Sequence, residues 1–291
     1  MGIEVDHVDQ PAIGSLSVLM IAKNEAHQIH HAISSVRDVA IQIVVVDTGS
    51  SDDTSKVAAE LGAEVFSYDW DQNFSNARNH GLRRCAGEWV LSLDCDEIVS
   101  MGTPQVTLLA RALRDTEKVA YTLPLVSKMP NGLSRTHRSV RLFRNSEKIE
   151  FRNPVHESVA GAIAEHFRED AVGDLAVPIE HLGYSREENR SKVLRNLEIL
   201  GAWLQQEPDN PYATYKFAAA VNVFDESASE PIYARALELI KRGGHEQTYP
   251  FFGDLEAAVA RFKTGSSDAR LTSPASGEAL RPRFRGIAKL D

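Results

Sequence analysis

The chain has 291 residues, 43% hydrophobic and 25% charged, with a formal charge of −9, an ordinary soluble composition with core enough for one large domain or two small ones. The acidic balance excludes a general nucleic-acid binder, which needs a basic face for phosphates, but allows a small anionic ligand in one pocket. No apolar run nears the roughly 18 residues needed to cross a membrane, the acidic opening carries no secretory signal, and Cys85 and Cys95 have neither zinc-site nor disulfide spacing. The expected compartment is reducing and cytoplasmic, with peripheral attachment to the inner face of a membrane left open.

Residues 1–14 read as a flexible start. "LSVLMIA" (16–22) is a short apolar run expected as a buried parallel strand. Polar "KNE" follows, then Ala26, Ile29, Ile33 and Val36 at helical spacing. "IQIVVVD" (41–47) is a β-branched strand ending on an acid. "TGSSDDTSKVAAELGA" supplies a turn, a helix cap at Ser51 or Asp52 and a stop at Gly62. "AEVFSY" is a third strand, "NFSNARNHGLRRCAG" a helix with Ser75 as candidate cap, and "EWVLSLD" a fourth strand. This alternation predicts a doubly wound, mostly parallel α/β sheet. Ligands on such sheets bind beyond the carboxyl ends of the strands. Here those ends read "KNE", "DTGSSDD", "DWDQNF" and "DCDE", all polar and acid-bearing.

Asp94 and Asp96 close the fourth strand. Alternation along a strand puts positions i and i+2 on one face, so both carboxylates are expected to aim at one point. Like charges so placed repel unless a cation or solvent lies between them. The pair therefore predicts a divalent-metal site or a solvated loop.

Residues 104–115 read as a helix, and 119–179 as short strands ("VAYTLPLVS", "RSVRLFR", "LAVPIEHLGY") forming a small antiparallel section. After Ser185 the pattern turns helical, with Val193, Leu197, Leu200 and Leu204 on one face, Pro211 opening a second helix and "PIYARALELIKR" a third. The extension at 186–263 is either a tetratricopeptide-like unit or a helical cap. The Ser-, Gly- and Pro-rich stretch at 264–291 predicts a disordered tail. The expected main domain is 15–185.

No GxxxxGK, GxGxxG or GxSxG stretch is present, which removes the commonest nucleotide and hydrolase signatures. The stretches "LSVLMIAKNEAHQI", "IVVVDTGSSDDTSKVA", "DWDQNFSNARNHGL", "GEWVLSLDCDEIV", "RLFRN" and "VHESV", in this order and at successive strand ends, resemble the family 2 glycosyltransferases of GT-A fold. Within them the likeness is to the group with KNE, DTGSSDDT, FSNARN and DCDE motifs and a C-terminal helical extension. It covers about residues 16–185.

The resemblance implies an inverting, metal-dependent enzyme that moves a sugar from a nucleotide diphosphate sugar, a UDP-hexose first, to a hydroxyl. The acceptor would be a glycan, lipid-linked or protein group, as in cell-surface glycan or lipopolysaccharide core synthesis. Lys23, Asn24 and Glu25 would lie at the nucleotide, and Asp47 would bond base or ribose in a loop shaped by Ser50 and Asp52. Asn76, Arg78 and Asn79 would approach base and diphosphate. Asp94 would contact ribose or metal, Asp96 would bind Mg²⁺ or Mn²⁺ directly, and His181 would complete the metal shell. Glu157, in the His-Glu pair, would be the catalytic base, since no Glu-Asp motif competes with it.

Each assignment has a plainer competitor. Glu25 and Asp52 also suit helix N-termini, Arg78 a surface ion pair, His181 a satisfied polar residue, and Glu157 an ion-pair partner of Arg152 or Arg141. Arg138, Arg141 and Arg144 read first as a solvated strand face, with a basic wall for a phosphorylated acceptor as the alternative. Other classes also remain: a nucleotidyltransferase, which would show a Gly-rich basic loop after the first strand, and a non-catalytic nucleotide-sugar-binding or helical interaction module.

Overall fold

The computed structural model describes residues 15–128, 134–182, 186–244 and 251–264. The expected flexible start lies outside the described residues, as does the expected tail apart from Thr264. The chain divides into two compact units, Met1–Gly183 and Tyr184–Asp291.

In the first unit the apolar runs form a parallel ladder. β1 (Leu16–Ala22) pairs with β2 (Gln42–Asp47) on one side and β4 (Trp89–Ser92) on the other, and β3 (Glu64–Ser67) extends β2. Both faces are buried, which is why the runs show no polar alternation. Leu16, Val18 and Met20 pack on one side with Ile29, Ile33 and Val36 of α1 (Ile29–Val36), while Leu19, Val44 and Val46 pack on the other with Leu82. α2 (Thr54–Glu60) and α3 (Phe74–Leu82) complete the crossovers. A Cβ on Gly81 would run into Leu19 and Val46, so glycine lets α3 lie close on the sheet and fixes the height of Arg78 one turn earlier.

Beyond β4 the direction changes. β7 (Ser134–Arg144) runs antiparallel to β4 and forms a hairpin with β6 (Ala120–Lys128), and α4 (Thr103–Leu113) precedes it. β9 (Ile179–His181) adds to β6, and β5 (Glu97–Val99) pairs antiparallel with β9. β9 and the short β8 (Val172–Asp174) run parallel to β6, so the expected antiparallel section is mixed. The sheet order is β3-β2-β1-β4-β7-β6-β9-β5. α5 (Ala160–His166) lies between β7 and β8.

Only Leu93–Asp96 separates β4 from β5 in the chain, yet three strands separate them in the sheet. A flat sheet would put β5 about 19 Å from β4, further than four residues span when folded into a turn. The turn is folded, with Glu97 N–H donating to Asp94 O at 3.1 Å. The sheet therefore curls, and the acid-bearing turn joins its interior strand β4 to its edge strand β5. The strand itself stops at Ser92, which corrects the expectation that Asp94 and Asp96 share a strand face: they sit on a turn.

Two caps also differ from expectation. The residue before α2 is Asp53, while Asp52 accepts from Thr54 N–H at 3.0 Å. Asn73, not Ser75, caps α3, accepting from Asn76 N–H at 3.0 Å; Ser75 Oγ donates instead to Asn153 O at 2.6 Å.

The second unit holds α6 (Arg186–Gln206), α7 (Pro211–Asn222), α8 (Glu226–Gly243) and α9 (Phe252–Thr264). The expected Leu197, Leu200 and Leu204 are buried, joined by Ile199 and Trp203. α8 starts at Glu226, before the predicted Pro231, because Asp225 caps it by accepting from Ala228 N–H at 3.0 Å. No helix among the described residues is long and apolar enough to cross a membrane.

Candidate active site

The loops after β1 and β2 are zipped together. Asn24 N–H donates to Ser50 Oγ at 2.9 Å, and Asn24 Oδ1 accepts from Ser51 N–H at 2.8 Å. Glu25 N–H donates to Thr54 Oγ1 at 2.8 Å and Ala26 N–H to Asp52 Oδ2 at 3.2 Å. Asp47 is buried beneath them, its Oδ1 accepting from Gly49 and Ser50 N–H at 2.9 and 2.7 Å and its Oδ2 from Ser55. Burial pushes the Asp47 carboxyl up, but the bonds from Ser55, Ser50 and Gly49 outweigh it and hold it below its ordinary value. Lys23, Asn24, Glu25, Asp47, Ser50 and Asp52 thus form one rim, with Lys23 and Asn24 exposed.

A second cluster gathers Arg78, Asp94 and Glu157. Arg78 is buried on α3; its Nε donates to Glu157 Oε1 at 2.6 Å, its Nη1 to Ser92 Oγ at 3.1 Å, and its Nη2 to Asp94 Oδ1. Among the described residues, Glu157 Oε2 has no hydrogen-bond partner. The direct ion-pair partner of Glu157 is therefore Arg78, with Arg141 feeling its charge from further off, and Arg78 is not a surface residue. Asn76 and Asn79 are held by other contacts. Asn76 Nδ2 donates to Asp71 Oδ2 at 2.7 Å, while the Asn79 amide donates to Phe151 O and accepts from Phe151 N–H at 2.9 and 2.8 Å.

Of Arg138, Arg141 and Arg144 on β7, Arg138 lies exposed as expected of a solvated face, and the other two do not. Arg144 lies over the Trp89 ring, 4.3 Å from its centroid, and Arg138 Nε pairs with Asp174 Oδ1 at 2.9 Å. Arg141 is drawn into the site: its Nη2 donates to Glu97 Oε1 at 2.8 Å and stands 3.6 Å from Asp94 Oδ2. Glu97 Oε2 accepts from Asp94 N–H at 2.9 Å. Burial pushes the Glu97 carboxyl up, to about 7, against the pull of Arg141. Desolvation likewise pushes Asp94 up, but Arg78 and Arg141 outweigh it and hold it well below the carboxylate range. The Asp94 side chain keeps 37% of its surface, so the two guanidiniums, not burial, decide its charge. The motifs "RLFRN" and "DCDE" contained both Arg141 and Glu97; nothing in them marked the pair.

The donor set can be tested for a divalent cation. Asp96 is buried, and its Oδ2 stands 3.5 Å from His181 Nε2. No group of three or more His, Cys, Asp or Glu side chains among the described residues is disposed to hold a metal ion by itself. Mg²⁺-type sites are commonly completed by substrate phosphates and water around one or two carboxylates, and Asp96 with His181, next to half-buried Asp94, fits that shared kind of site. The charges agree: Asp94, Asp96 and Glu157, with Glu97 ionising at about 7, face the guanidiniums of Arg78 and Arg141.

Backbone strain collects in the same loops. Among the described residues the non-glycines at positive φ are Asn24, Gln72, Asn153 and His156, in the "KNE", "DWDQNF" and "RNPVHE" stretches. Such conformations cost of order 1–3 kcal/mol each and cluster at functional sites.

Residues 17–171 match the family described as glycosyl transferase family 2, and the chain belongs to that family. A TPR repeat-containing protein of Synechococcus elongatus is 31% identical over 271 residues, covering 87% of this chain and 66% of that protein. The SPbeta prophage-derived glycosyltransferase SunS of Bacillus subtilis is 27% identical over 214 residues, covering 71% of this chain and 49% of that protein. The chain thus spans between about half and two thirds of these relatives. Among solved structures, S. aureus TarS 1-349 shares the fold with a TM-score of 0.53 at 14% identity, covering 90% of this chain and 95% of that one. The same TarS fragment in complex with UDP matches with a TM-score of 0.53 at 13% identity over the same shares of the two chains. The architecture is that of a GT-A glycosyltransferase.

Proposed function

We propose that this protein transfers a sugar from a nucleotide diphosphate sugar to an acceptor hydroxyl, with inversion at the anomeric carbon. The observation that carries the reading is the acid turn after β4. It brings Asp94, Asp96 and His181 to one corner and, through Arg78, places Glu157 beside them. The nucleotide lies along the zipped rim of Lys23, Asn24, Glu25, Asp47, Ser50 and Asp52, with Asn76 and Asn79 bordering it. UDP is the nucleotide to test first, being the one held by the TarS structure of like fold.

Asp96 and His181 would hold Mg²⁺ or Mn²⁺, with Asp94 towards the metal or the ribose. When bound, the ion would supply neutralisation of the departing diphosphate. Glu157 is the base: Arg78 anchors Oε1, which leaves Oε2 to take the acceptor proton. Arg78 works from beneath, orienting both acids.

A panel of nucleotide sugars, with and without Mn²⁺, tests the reading through binding and donor hydrolysis. One UDP-sugar should bind and be slowly hydrolysed only with the metal. Asp96→Ala should abolish the metal-dependent part of binding while leaving the thermal transition nearly in place. Equal affinity in chelator would sink the metal assignment, and a panel without any ligand would sink the transfer reading.

A further inference from the structure

The hairpin of β6 and β7 carries an irregularity beside the site. Tyr121 pairs with Leu142 and Thr122 with Val140, so Arg141 is the extra residue of a β-bulge. A bulge bends its strand and re-aims a side chain, and bulges are frequent next to active sites. Here the re-aimed side chain is the guanidinium that meets Glu97 and Asp94. It also reaches Ser92 O, at 3.5 Å.

The turn that Arg141 meets needs such support. The ladder of β4 ends at Ser92, so nothing in it holds Asp94. Arg141 grips this residue twice: directly near Oδ2, and through Glu97, whose Oε2 accepts the Asp94 N–H. Arg78 takes Oδ1 from the α3 side. Asp94 is thereby fixed in backbone and side chain while one edge stays open to solvent.

We infer that Arg141, through Glu97, is a positioning residue that sets the acid turn for the metal–diphosphate group. This rests on the sugar-transfer reading above. Arg141 does not act on the sugar; it acts through Asp94, and it needs the planar fork of a guanidinium to reach two carboxylates at once.

The plainer account is a buried ion pair that serves folding alone. Isothermal titration with UDP, in Mn²⁺ and in chelator, separates the two when combined with thermal unfolding. Arg141→Met should weaken UDP binding in Mn²⁺ by about 10- to 100-fold, the range for partners that orient metal ligands, and should barely change the weak binding in chelator. Arg141→Lys should recover part of the affinity. The double variant Glu97→Leu/Arg141→Met removes both charges, so its melting temperature should return towards the parent's while its affinity in Mn²⁺ stays low.

Parental affinity in the double variant or in Arg141→Met would overturn the positioning role. If all three variants fail to fold, the pair is structural and the role is also overturned. If the unaltered protein binds no UDP-sugar, the sugar-transfer reading fails first, a result visible before any variant is made.

Discussion

Arg78 Nε donates to Glu157 Oε1 at 2.6 Å, joining two residues 79 positions apart in the chain. The same guanidinium holds Asp94, so a single buried cation ties α3, the turn after β4 and the loop after β7. Removing it strands Glu157 and leaves Asp94 to Arg141 alone. Arg78→Met is expected to cost about 3–5 kcal/mol, the usual penalty for deleting one partner of a buried pair. Urea unfolding measures it. A loss below about 1 kcal/mol would mean that water reaches these acids and the clamp is weak.

Glu157→Gln leaves an oxygen to accept from Arg78, so the fold should survive it. With Glu157 as base, kcat should fall about a hundredfold or more while UDP affinity in Mn²⁺ is kept. Steady-state kinetics and titration check both halves. A variant with lowered stability and raised KM but surviving kcat would make Glu157 only the partner of Arg78. Asp174 and Glu180 would then be the next bases to test. Asp174 is already paired with Arg138, and Glu180 Oε1 accepts from Ser100 Oγ at 2.7 Å.

Asp47 predicts a pH dependence. Its native pKa is lowered from the ordinary 3.8, so the ionised form is favoured by folding. The stability it contributes is present above the unfolded value, about 3.9, and is lost as pH falls through the lower native value. Asp47→Asn should therefore be less stable than the parent at pH 7, and the gap should shrink below about pH 4. Denaturant unfolding of both proteins across this range is the check. A gap independent of pH would show that shape, not charge, is what Asp47 supplies.

Gln72 sits at φ 63° on an exposed loop. Asparagine tolerates this region and glutamine does not. Gln72→Gly is expected to stabilise the protein by about 0.5–1 kcal/mol. An unchanged or lowered unfolding midpoint would show that the glutamine side chain makes up for its backbone.

The α/β alternation was legible because each parallel strand is a short apolar run between turn residues, and "LSVLMIA" and "IQIVVVD" became β1 and β2 almost residue for residue. The strand-end acids were legible for the same reason. What lay hidden depends on register. Arg141 meets Glu97 only because β7 runs beside β4 and bulges at one position. The arginines of "RTHRSVRLFR" look alike in sequence, and one bulge decides which of them enters the site. The Ser75 cap failed because Asn73 lies two residues earlier, directly before the helix, and Ser75 has the Asn153 carbonyl to bond.

The turn that joins β4 to the edge strand β5 of the curled sheet also sets an order of assembly. β5 leaves the ribosome directly after β4, but its only partner strand among the described residues, β9, comes much later: Glu97 pairs with His181. At ~5–20 residues per second, Asp96 and His181 emerge about 4–17 s apart. During that interval the parallel strands β1 to β3 have all their partners among β1 to β4, and β4 waits only for β7, whereas the acid turn has none of its antiparallel support. Arg141 arrives midway and His181 last. Non-local pairing of this kind is slow because the intervening chain must first be closed into a loop. A chain stopped before Ile179 would therefore carry every acid of the turn and still lack the corner they share.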